Sequence, residues 1–368
     1  MTYDMHDRAL RVLQGTGPEL PNGAPNHGPM VAEALAALGR AEAVRQWVEI
    51  YRSRLVEGPR TDAVIGEDWQ GALGDFSRLG EWQNRFRQEL AGSPWKEVLD
   101  RWLPRLIPGS MASGTHGIIR CGHAARALEN DITVLRLDEL ANALAYCAAR
   151  YRTISSPPLL AGNLGLEAAT SGLPLLEPEV DRQGPPPRIV MRLTERSDFA
   201  RAIQRLAPPA DVSLALSQLA GIGARLYLRD AAHHPLVLLH TVTGPAAVQL
   251  LLATVSSELR SVAFAYTWQA VAAWAAAFSS GLSQELPRAA NASWDEIIDL
   301  SVESGDEHAI KLTEACRRQE ALRPSPVFRA AACDWVHRVI ETHDWSDAEL
   351  IDVGIRTRLS DERSEGSI

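Results

Sequence analysis

The apolar positions of this chain recur at three- and four-residue intervals, the spacing of a helix face. Between Pro29 and Val56 they fall at Val31, Leu35, Leu38, Val44, Trp47 and Val48, which predicts one amphipathic helix. Ser93-Pro94 predicts a helix start, with serine as the N-cap and proline in the first turn. The pattern continues from Ile118 to Leu128 and from Leu137 to Tyr151. Further helices are expected to begin near Asp198, Asp211, Gly244, Leu259, Trp294, Asp306 and Pro326. One stretch departs from it: Arg188-Ile-Val-Met-Arg-Leu reads as a short strand. The Pro/Gly-rich run from Ser155 to Pro187 reads as a loop, as does Gly58 to Gly74, and the tail after Leu359 reads as disordered. The expectation is an all-α multi-helix bundle, a single domain covering residues 1–368.

Composition supports that class. Apolar residues make up 46% of the 368 and aromatics only 6%, so alanine and leucine dominate, side chains that lose little entropy in a helix. A net charge of −9 without a basic stripe argues against a nucleic-acid partner. Cys121, Cys147, Cys316 and Cys333 show no C-x-x-C spacing and read as free thiols of a reducing compartment. The start, M-T-Y-D-M-H-D-R, has no apolar signal core. The longest apolar stretch, Val262 to Phe278, is broken by Tyr266, Thr267 and Gln269 and suits a buried helix better than a membrane span. A soluble, cytoplasmic protein is expected. G-I-G-A at Gly221 falls inside a predicted helix and follows no strand, so it is not a dinucleotide-binding turn.

The candidate chemistry lies in five histidines and a lysine. His27 sits in N-H-G-P, and His116 and His123 in T-H-G-I-I-R-C-G-H-A-A-R. His240 sits in L-H-T-V-T-G, and His308 in D-E-H-A-I-K, which ends at Lys311. Each falls at a helix start or on an inward stripe, and imidazoles from several helices can build a metal site inside a bundle. His308 and Lys311 share a face at i, i+3. A protonated lysine cannot ligate metal; it would have to lose its proton or become a carbamate. On spacing alone, a surface lysine beside a packed histidine is the simpler account. His116 and His123 stand about 10 Å apart along one helix face, so one of them is a ligand and the other stands behind it or faces the substrate. Arg120 and Arg126 nearby read as surface ion pairs. His6, His233, His234, His337 and His343 read as surface residues.

Taken together and in order, these four segments resemble the questin oxidase-like proteins, from about His27 to Ala315. The resemblance implies an oxygenase that inserts oxygen into an aromatic polyketide ring in a Baeyer–Villiger-like cleavage, with NADPH as reductant. It also implies non-haem iron held by four histidines and a carboxylated lysine. Carried over position by position, these are His27, His240, His308 and Lys311, with His116 ahead of His123 as the fourth histidine. Lys311, His123 and Arg120 are then the candidate catalytic residues. Iron(II) suits such a donor set and would leave one position for dioxygen, with a small flat aromatic substrate packed on tryptophans such as Trp268, Trp274 or Trp69. The long proline loops differ from the insertions of the fungal members, so the substrate pocket does not carry over. Two rivals remain: a zinc hydrolase on the same ligands, and a helical binding protein for a hydrophobic small molecule, in which the histidines are structural.

Overall fold

Helical periodicity becomes helices wherever the chain supplies a start and a stop. A computed structural model describes residues 2–154, 157–177, 182–183, 186–283 and 290–342. The N-terminal half holds α1 Thr2–Leu13, α2 Gly28–Ala37, α3 Ala41–Arg52, α4 Leu79–Gly92, α5 Trp95–Leu106, α6 His116–Asn130 and α7 Val134–Ala149. Three short helices follow, α8 Leu166–Ser171, α9 Pro186–Met191 and α10 Ser197–Ile203. The C-terminal half holds α11 Val212–Asp230, α12 Pro235–Leu238, α13 His240–Leu251, α14 Ser257–Phe278, α15 Trp294–Ser304, α16 Glu307–Leu322 and α17 Pro326–Thr342. Among the described residues there is no strand, only isolated bridges such as Leu164 with Leu206. The fold is an all-α bundle.

Five departures from the sequence reading appear, most with a local cause. The single helix expected from Pro29 to Val56 is two, because Gly39 takes φ +76° and closes α2 with a bond from the Arg40 N–H to the Leu35 carbonyl (2.9 Å). Proline 94 itself takes the cap position of α5, and the Ser93 hydroxyl caps nothing. Arg188 to Leu193 is not a strand: Pro186 and Pro187 open α9, and a 3₁₀ turn, Arg192–Glu195, follows. A short apolar run cannot distinguish the two forms, and among the described residues there is no strand to pair with it. The run read as a loop also contains α8. In contrast, α13 begins four residues before the expected Gly244, and takes Gly244-Pro245 into its body. The tail after Leu359 lies outside the described residues.

The helices that matter for function meet at the centre. α13 packs against α6, α11 and α16, and α2 packs against α6 and α16. Glycines permit the closest approaches. A Cβ on Gly122 of α6 would stand 2.4 Å from the Ala247 carbonyl oxygen, and one on Gly223 of α11 2.2 Å from that of Thr241. Either would push α13 out of place. The buried helix α14 covers the apolar stretch first noted from Val262 to Phe278; no described helix is long and apolar enough to cross a membrane.

Candidate metal centre

Each of four helices delivers a histidine at or beside its first turn. His27 is the N-cap of α2; its backbone N–H donates to the Tyr51 hydroxyl (2.8 Å), and the Asn26 side chain accepts from Gly28 N–H (2.9 Å). His116 opens α6 after three residues with positive φ, Ser113 (+50°), Gly114 (+61°) and Thr115 (+70°). Two of the three are not glycine, a strain of order 1 kcal/mol per residue that a loop keeps only when something holds it. What it achieves is visible: the Ser113 carbonyl turns back onto His116 Nδ1 at 2.5 Å. His240 opens α13, its Nδ1 2.9 Å from the Leu236 carbonyl. His308 follows Asp306, the N-cap of α16, whose carboxylate lies 3.9 Å from His308 Nδ1 and accepts from the Ala309 N–H (2.6 Å) and Trp335 Nε1 (2.9 Å).

The four rings converge. Ring centroids lie 4.8 Å apart for His27 and His116, 4.6 Å for His27 and His308, and 4.6 Å for His116 and His240. His27, His116 and His308 each offer a nitrogen within 4.8 Å of the other two. His116 Nε2 and His240 Nε2 face each other at 3.2 Å. A carbonyl oxygen can only accept, so both of these rings carry their proton on Nδ1 and present a bare lone pair at Nε2. Two facing lone pairs repel, and a cation between them reverses the sign. Two imidazole nitrogens bound to one ion at about 2.1 Å, subtending roughly 100°, would stand about 3.2 Å apart. His27 Nδ1 is buried with no hydrogen-bond partner. The donor set therefore fits a borderline transition metal such as iron(II) or zinc.

Electrostatics keep this set ready. Burial, reinforced by Lys311 and the neighbouring rings, holds His27 well below the usual imidazole range. Burial, then His240 and Lys311, do the same to His116. Burial, then His308 and Lys311, lower His240 to about 3. These rings are thus neutral at pH 7, the form that binds metal. Lys311, one turn after His308, is 2% exposed, and its amine makes no hydrogen bond or ion pair with any described residue. Burial lowers it to about 7, against the pull of Glu307 and Asp306. The N-termini of α2, α6 and α16 all point at this centre, and their dipoles favour an anion there.

His123 and Arg120, read as candidate catalytic residues, do not join the cluster. His123 Nδ1 bonds to Glu33 Oε2 (2.7 Å), and Arg120 makes a two-pronged bond to Glu139 (2.5 and 2.7 Å) beside a separate crevice. The helix starts at His116, so the residue seven further on lies two turns away. Arg120 and Arg126 are not surface ion pairs either; Arg120 is 6% exposed, and Arg126 bridges Glu33 and Glu314. His6, read as a surface residue, is buried on α1 against Tyr3, and His234 is half-buried against Phe278. His233 and His337 are exposed, and His343 lies outside the described residues.

A cavity of about 590 Å³ reaches His116 and His240, lined also by Met111, Tyr151, Met191 and Trp274. Of the three tryptophans named from sequence only Trp274 lines it. Trp268 is buried with its Nε1 on the Ile203 carbonyl (3.0 Å), and Trp69 packs on Trp102. Sequence reasoning missed the groups that orient the cluster, chiefly the Ser113 and Leu236 carbonyls and Asp306. Only Asp306, two residues before His308 in D-E-H, left a signal in the sequence, as a helix N-cap. No family model and no curated protein matches this chain.

Proposed function

We propose that this protein is a metal-dependent oxygenase acting on a flat aromatic compound, with iron(II) held by His27, His116, His240, His308 and Lys311 as its carbamate. The observation that carries the reading is the approach of His116 Nε2 and His240 Nε2 to 3.2 Å, with Nδ1 of each ring on a backbone carbonyl and two more imidazoles beside them. The choice of iron, of an aromatic polyketide-type substrate and of NADPH as reductant comes from the resemblance of the four histidine segments to questin oxidase-like proteins. Iron bound there would supply the activation of dioxygen.

The chain's own residues have definable parts. The Ser113 and Leu236 carbonyls fix two rings and their tautomers. Burial lowers the Lys311 amine to about 7, so about half of it is neutral at pH 7, and the neutral amine can attack carbon dioxide, forming an N–C bond and releasing a proton to solvent. The resulting anion would sit where three helix dipoles favour negative charge. The cavity beside His116 and His240 offers an apolar bed for the substrate ring.

A zinc hydrolase is the second reading, favoured by the three-nitrogen set of His27, His116 and His308, the ligand count of catalytic zinc sites. Anaerobic reconstitution with iron(II), then oxygen and a panel of anthraquinones and other aromatics, tests the proposal. Oxygen uptake that depends on both iron and substrate is expected. Hydrolysis by a zinc-loaded form without oxygen uptake would replace it with the second reading. A protein that takes up no metal would be a binding module.

A further inference from the structure

The cavity beside His116 and His240 carries one charge that no described residue answers. Glu19, Arg150 and Arg152 are the charged residues of its lining. Glu19 and Arg150 satisfy each other: Arg150 Nε donates to Glu19 Oε1 at 2.8 Å, and the Tyr146 hydroxyl donates to the same oxygen at 2.9 Å. The Arg150 guanidinium also lies 3.7 Å from the centre of the Phe76 ring, which fixes it further. Arg152 is exposed and makes no hydrogen bond or ion pair with any described residue. From Arg152 at the open side to His116 and His240, which are 5% and 6% exposed, the wall includes Met111, Val190, Met191 and Trp274. The volume, about 590 Å³, suits a single small organic ligand.

We propose that this cavity selects an aromatic carboxylate. Its ring system lies against Met111, Met191 and Trp274 with one edge toward His116 and His240, and its carboxylate pairs with Arg152 at the mouth. The guanidinium fork matches a carboxylate with two parallel N–H donors. A single unanswered cation fits a monoanion; a phosphate ester would need more donors than the lining provides. The inference rests on the cavity being the substrate site of the metal centre, but binding can be read on metal-free protein, so the two ideas fail separately.

The test titrates metal-free protein with 2-naphthoate and with its neutral analogue 2-naphthamide, followed by quenching of tryptophan fluorescence. Naphthoate is expected to bind about fivefold more tightly, the size of one exposed ion pair, and to lose that advantage at high salt. Arg152→Gln should remove the preference while leaving naphthamide binding unchanged, and Arg152→Lys should restore part of it. Equal binding of acid and amide, a preference that survives in Arg152→Gln, or no binding of either compound would overturn the proposal. None of these outcomes bears on whether the histidines bind metal, which is read separately from metal content.

Discussion

On α2, α6 and α16 the chain carries His27, His116 and His308 at the helix starts, and Glu33, His123 and Glu314 about two turns further along. At the further level the side chains answer one another. Glu33 accepts from the Tyr3 hydroxyl, His123 and Arg126, each at 2.7 Å, while Arg126 and Arg318 both reach Glu314. At the helix starts the polar groups are as deeply buried, but their lone pairs face one another and the lysine has no partner among the described residues. Charge satisfied within the chain ties three helices in register. Donor capacity left unsatisfied at their tips is what the proposed metal would answer. The same helices thus serve as scaffold at one level and carry the candidate site at the other.

Removing the scaffold should have the largest effect. Glu33→Ala would leave Arg126 and His123 buried without their main acceptor, which costs about 3–5 kcal/mol; urea unfolding measures it. A loss below about 1 kcal/mol would mean that this network ties nothing together. The site should behave in the opposite way. Metal in hundredfold excess over its dissociation constant should stabilise the wild type by about 2.7 kcal/mol, and His308→Ala should abolish that increment while changing the metal-free protein less than Glu33→Ala does. If both variants cost the metal-free protein the same, the distinction between the two levels fails.

Acid separates them next. Burial would raise the Glu314 carboxyl, but Arg126 and Arg318 bring it down to about 2. A carboxyl lower in the folded than in the unfolded chain contributes stability above its ordinary value near 4.5, which is lost as the pH falls toward 2. Glu314→Gln should flatten that part of the stability curve. Burial also holds His240 near 3, below the ordinary 6.5, so the unfolded chain takes up that proton first and stability falls with pH between those values. The two slopes should therefore appear in sequence, histidine above carboxylate. The smallest effect is expected for His337→Ala, on the exposed side of α17: within about 0.5 kcal/mol in stability, with metal content unchanged.

The tips were more legible than the scaffold. N-H-G-P, L-H-T-V-T-G and D-E-H-A-I-K place histidines beside helix-start signals, so their convergence could be expected from local chemistry plus the resemblance. Spacing could not choose between His116 and His123, because a seven-residue interval keeps both on one face; the structure brings His116 to the cluster and pairs His123 with Glu33. Glu33, Arg126 and Glu314 come from three helices far apart in sequence, and no spacing rule connects them. His6 lacks the helix-start setting of the other histidines, yet α1 buries it within reach of the Glu33 charge. The Ile-Val-Met of α9 resembled a strand because three residues hold too little period to tell the forms apart.

Whether His27, His116, His240 and His308 with Lys311 form one metal centre is read by counting metal. Metal-free protein is incubated with iron(II) under argon, freed of unbound metal by gel filtration, and analysed beside His240→Ala. About one ion per wild-type chain is expected and almost none in the variant, with the variant's helical circular dichroism unchanged. A wild type that retains no metal, or a His240→Ala variant that retains as much as wild type, would contradict it.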